Sequence, residues 1–142
     1  MLRRILAIVA GLVAAMAIMF AIEAVGRVLF PLPSGMSLTD PQSMRERAEM
    51  IPVGALASIL VAWTAGALAG SYSVGRLIGR RGVSLAYVAG GVVLVWAALM
   101  TMRMPHPIWF VAATPILIVG ATILGAWPNR ERRTKVAGTQ AK

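Results

Sequence analysis

The sequence predicts an all-α membrane protein: four transmembrane helices arranged as two hairpins, both termini on one side, and a short amphipathic helix on the other. Three observations carry this reading. Of the 142 residues, 58% are hydrophobic and 13% charged, roughly half the charge of an ordinary soluble domain. The apolar residues gather into four runs, at about 5–30, 52–75, 84–102 and 107–127, each close to or above the roughly 18–20 residues that cross a hydrocarbon core as a helix. The basic residues fall in alternate gaps between those runs.

Taken in order, Arg3 and Arg4 precede the first run, and Arg76, Arg80 and Arg81 separate the second from the third. Arg130, Arg132, Arg133, Lys135 and Lys142 follow the fourth. With four spans these groups share one side, where Glu131 is the lone acid. The opposite side holds Arg27, Arg45, Arg47 and Arg103, balanced by Glu23, Asp40, Glu46 and Glu49. An excess of Arg and Lys marks the cytoplasmic face, so both termini are expected there. A membrane barrel is excluded, because its strands would alternate polar and apolar residues over about ten positions.

The domain organisation is simple: a transmembrane unit at 1–129 and a basic cytoplasmic tail at 130–142, expected to be disordered. The net charge of +9 reads as contact with anionic lipid headgroups by Arg3, Arg4, Arg76, Arg80, Arg81, Arg130, Arg132, Arg133 and Lys135. Nucleic acid is not an expected partner, since the tail has no aromatic platform or folded basic surface. The first run is longer than a signal-peptide core, and "AMA" lies inside the oily stretch, so an uncleaved helix is expected.

Glu23 and Arg27 break the first run. At 1.5 Å per residue, Glu23 lies about 27 Å along a helix beginning at Ile5, near the outer edge of the core. Spacing of four puts the acid and the base on one face in the favourable order, which predicts an ion pair at the interface. Ionisable groups in spans also mark binding or proton sites. Arg103 and His106, in "RMPHPIWF", join Glu23 and Arg27 as a candidate outer-face polar site. The chain has no cysteine, and a lone histidine makes no metal site, so neither a metal nor a cofactor is expected.

The outer loop, 31–51, begins with the stiff turn "PLPSG". Thr39 or Asp40 then suits the cap of a surface-lying helix ending near Met50. In the spans, Ala62, Gly66 and Gly70 recur every four residues, as do Ala86 and Gly90, and Ala121 and Gly125. Small residues at that spacing let helix backbones approach closely in lipid. Trp63 and Trp96 fall near the bilayer middle and are expected to turn their indoles into the bundle. Trp109, Phe110 and Phe30 are expected at the outer boundary, with Tyr72, Tyr87 and Trp127 at the inner one.

At "FPLPSG", "AWTAGALAG" and "MPHPIWF" the chain resembles a group of small uncharacterised bacterial four-helix inner-membrane proteins. The resemblance implies a bacterial inner-membrane location and no particular activity. The favoured reading is a non-enzymatic accessory or structural subunit that self-associates or binds a membrane-protein partner. One alternative is a small transporter or channel with an outward-facing site around Glu23 and Arg27. Another is an outer-face sensor using the 31–51 loop. Proton-coupled export would need an acid at mid-membrane, and "AGLVAAMAIM" is wholly apolar there. The topology is directly checkable in a cysteine-free chain: Ser37→Cys reacts with an impermeant maleimide added to intact cells, and Thr134→Cys reacts only after lysis.

Overall fold

The computed structural model describes residues 2–31, 50–79, 83–103 and 106–140, with side chains described as far as 128. Four helices account for nearly all of these residues: α1 (Leu2–Leu29), α2 (Val53–Ile78), α3 (Val83–Arg103) and α4 (Ile108–Gln140). All four are long and apolar enough to cross a membrane, with mean hydropathy from 1.8 to 2.8 over their most apolar stretches. The amphipathic helix expected in the outer loop lies outside the described residues, as do Arg80 and Arg81.

α2 is the centre of the bundle. It packs against each of the other three helices, α3 also packs on α4, and α1 meets α3 only lightly. The reason lies in how small residues are spaced. One stripe of α2, Ala62–Gly66–Gly70–Val74, is buried at every position and faces α1. α1 answers with Ala7, Gly11, Ala15 and Met19, all buried. A methyl group on Gly70 would stand 3.1 Å from both the Ala15 Cβ and the Gly11 carbonyl oxygen. Further along, Gly26 lies against Ser58, so the contacts run in opposite order and the two helices are antiparallel.

The other face of α2 carries Leu60, Trp63, Ala67 and Ser71. Here the backbone of α4 comes close: a methyl group on Gly125 would lie 2.5 Å from the Leu68 carbonyl oxygen. α3 brings Ala86, Gly90, Val93 and Ala97 inward, with Gly90 against the Thr122 side chain of α4. The small residues predicted for packing, Ala62, Gly66, Gly70, Ala86, Gly90, Ala121 and Gly125, are thus all buried between helices. The partner stripe on α1 was not among them.

The remaining surface is apolar. Ile5, Val9, Val13, Val25, Val95, Ile116 and Leu124 are all exposed, as lipid-facing residues must be. Threonine hydroxyls in the spans are satisfied locally. Thr64, Thr101, Thr114 and Thr122 each donate to the carbonyl four residues earlier, at 2.7–2.8 Å, so none presents an unpaired donor to lipid.

Helix ends are tied in two ways. Gly79 stops α2 with φ 71°, a left-handed conformation natural to glycine, and its N–H donates to the Gly75 carbonyl. Arg3 reaches from α1 to the Leu77 carbonyl at 3.4 Å, and the Arg76 guanidinium lies 5.9 Å from the Tyr72 ring centre. One end of the bundle therefore collects Arg3 and Arg76, while Glu23, Arg27 and His106 belong to the other. α4 does not stop at Trp127: the helical backbone continues through Pro128 to Gln140, into the segment expected as a disordered tail. The reach past Pro128 follows from "NRERRTK", which is rich in good helix formers.

These contacts give a paired expectation for unfolding in mixed micelles. Gly125→Ala should cost roughly 1–3 kcal/mol by overpacking. Gly91→Ala, with nothing within 4 Å of the new methyl, should leave stability unchanged or raise it by up to about 1 kcal/mol. Equal losses at both positions would show that the α2–α4 approach is not what the glycine protects.

Candidate functional site

Because α1 is drawn onto α2 and meets α3 only lightly, the three helices leave a space between them. It is a cavity of about 390 Å³. Met16, Met19 and Phe20 of α1, Trp63 of α2, and Trp96 and Met100 of α3 form much of its wall. Two ionisable side chains also line it, Glu23 and His106.

The position of Glu23 follows from the α1 stripe. Ala7, Gly11, Ala15 and Met19 recur every four residues, and Glu23 is the next step. The acid thus stands where the contact face of α1 continues, and it is half-buried. Trp63, only 5% exposed, borders the same space as the Glu23 side chain. Helical side chains lean toward the helix N-terminus, which tips Trp63 toward this end of the bundle.

From Trp63 an aromatic chain crosses to α4. Its ring meets Phe110 edge-on, at 5.8 Å between centroids and 68° between planes. Phe110, completely buried, is in turn stacked against His106 at 4.7 Å and 16°. Trp109 meets the same phenyl ring edge-on at 5.8 Å. Glu23 and His106, far apart in sequence, thus line one space whose wall includes the Trp63 ring.

Arg27 is exposed; its Nε donates to the backbone carbonyl oxygen of Glu23 at 3.3 Å, and its charge acts on the Glu23 carboxylate one turn away. Other expectations are corrected. Arg103 is exposed at the end of α3 and does not line the cavity. Phe110, in the first turn of α4, is not exposed there but buried, and it opens the buried stripe Phe110–Thr114–Ile118–Thr122. Trp96 is 51% exposed, since Val93 and Ala97 hold the inward positions of α3 and leave the indole beside the cavity's edge.

Among the described residues no three His, Cys, Asp or Glu side chains converge. The cavity wall offers one carboxylate, one imidazole, aromatic faces and thioethers. That set can bind a molecule and orient it. Family models, characterised proteins and solved structures give no match to this chain.

The Trp63–Phe110 contact makes a measurable statement. Trp63→Ala, which removes the buried ring that meets Phe110 edge-on, should cost about 3–5 kcal/mol of stability in micelles.

Proposed function

We propose that this is a multi-pass protein of a bacterial inner membrane, both termini cytoplasmic, that binds an amphipathic small molecule from the outer side without catalysing a reaction. The observation that carries this is the cavity at the Glu23 end. Its volume falls within the roughly 300–1,000 Å³ of small-molecule sites, and such sites are mostly apolar with a few polar groups that fix orientation. The orientation rests on the arginines: Arg3 and Arg76 share one end of the bundle, with the continuing helix of α4 carrying further basic residues. In this arrangement α1 with α2, and α3 with α4, form the two hairpins, and Glu23 opens outward.

The small-transporter reading thereby moves ahead of the purely structural one. The accessory, self-associating reading keeps one supporting observation. Gly91 of α3 and Gly120 of α4 each have open space where a side chain would be, and small residues facing lipid let another helix approach. Cross-linking in native membranes would reveal such a partner.

Occupancy of the cavity can be followed in lipid nanodiscs with N-phenylnaphthylamine, a neutral apolar dye. Energy transfer from tryptophan to the dye should saturate, because Trp63 and Trp96 line the space. Val92→Phe, which projects a larger ring from the cavity wall, should weaken that saturable signal several-fold. Transfer that rises linearly, as partitioning into the bilayer alone would, removes the binding function.

A further inference from the structure

The cavity is long and narrow, and it lies open along one side. On α1 its lining residues run from Leu12 to Glu23, about 16 Å at 1.5 Å per residue. A volume of about 390 Å³ spread over that length leaves a slot roughly 5 Å wide. Met16 and Phe20 of α1, with Val92 and Trp96 of α3, line this slot and are also exposed, because α1 and α3 meet only lightly. The gap between these two helices therefore opens the slot sideways, toward the hydrocarbon around a membrane-spanning bundle. Glu23 and His106 stand at one end, and the wall between Leu12 and that end is apolar.

We infer that this slot takes one extended hydrocarbon chain of a bilayer lipid, admitted sideways between α1 and α3 from the leaflet on the Glu23 side. This inference rests on the binding function proposed above and names its ligand class and route of entry. An apolar space stays dry and takes apolar guests, which restore the dispersion contacts that wall atoms forgo across a gap. Hydrocarbon is the guest at hand, since the open side faces it. The dimensions select its shape. A single chain, touching wall carbons at about 4 Å, fills a slot of this width along its whole length. A helix of a second copy or another protein, about 10 Å across, does not enter. The slot runs along the helices, the direction in which lipid chains lie. Met16, Met19 and Met100 on its wall can follow a bent chain, because thioether side chains fit irregular shapes. The lipid's polar end then lies level with Glu23 and His106 at the edge of the core, and the fit depends on the charge of neither.

Trp63 is the reporter, because it lines the slot and is buried from lipid outside the bundle. Trp96, Trp109 and Trp127 are replaced by Phe in the full chain. The protein is placed in nanodiscs of phosphatidylcholine brominated in mid-chain, and unbrominated lipid gives the reference intensity. Bromine quenches indole fluorescence only at short range, so Trp63 should lose at least half of its intensity. Val92→Phe, which narrows the slot, should reduce that loss at least threefold, and Leu12→Phe should do the same from α1. Val95→Phe, at an exposed position of α3 off the slot wall, should leave the loss unchanged. Matching circular dichroism of the three variants certifies comparable folding. Undiminished Trp63 intensity in brominated lipid, or equal quenching in the slot variants and Val95→Phe, overturns the inference. Saturable N-phenylnaphthylamine transfer without quenching by brominated chains also overturns it while leaving the cavity's binding function standing. If neither signal appears, both readings fall.

Discussion

Lipid gives two apolar helices no reason to leave it for each other. What holds this bundle is therefore the closeness with which backbones meet along α2. Gly66 and Gly70 admit α1 on one side, and Gly125 presses the backbone of α4 onto the other. A price is visible at Ser71, which is completely buried and whose hydroxyl finds no hydrogen-bond partner. It stands at the tightest part of the α2–α4 contact, its Cβ 3.1 Å from where a methyl on Gly125 would lie. A net hydrogen bond is worth only about 1 kcal/mol, so smallness at this spot outweighs satisfaction of one hydroxyl.

The same constraint creates the cavity. A helix held by a stripe of small residues is fixed to one neighbour and cannot also close on another whose side chains are large. α1 is fixed to α2 by Gly11 and Ala15, while Trp96 and Met100 on α3 keep that helix at a distance. Since the stripe repeats every four residues, its continuation places Glu23 at the end of the resulting space. The packing register and the position of the acid are thus one property of α1. Moving the stripe by a single residue would turn the carboxylate about 100° around the helix and off the cavity wall.

Much of this was legible before any coordinates. Length and hydropathy delimit the first three helices and the start of the fourth to within a few residues, because a bilayer leaves few alternatives. The small-residue spacing in α2 announces close packing, and Trp63 is correctly inward. What spacing does not announce is a partner. The α1 stripe is as regular as that of α2, but it lies in a run apolar on every face, so periodicity has no contrast to work with. The same lack of contrast hides Phe110, whose burial depends on Trp63 reaching across from another helix. Trp96 is misplaced by one position: depth in the bilayer says how far along a helix a residue lies, and nothing about which way it faces.

The arginines show most clearly where a local rule yields to the helix as a whole. Spacing of four predicts that Arg27 pairs with the Glu23 carboxylate. Yet Arg27 sits in the last turn of α1, where carbonyls lose their intrahelical partners and the helix dipole turns negative. Its Nε donates to the Glu23 carbonyl, one turn back along the helix. At the other end of the bundle Arg3 does the same for α2, bonding the Leu77 carbonyl one residue before the helix stops. Arg3 in this way acts as a bolt on the C-terminus of α2, which serves a membrane helix well, since its ends must satisfy backbone polarity at the edge of the hydrocarbon. Arg27 still acts on the Glu23 carboxylate through its charge, so the spacing rule holds for the electrostatics while the hydrogen bond goes to the backbone.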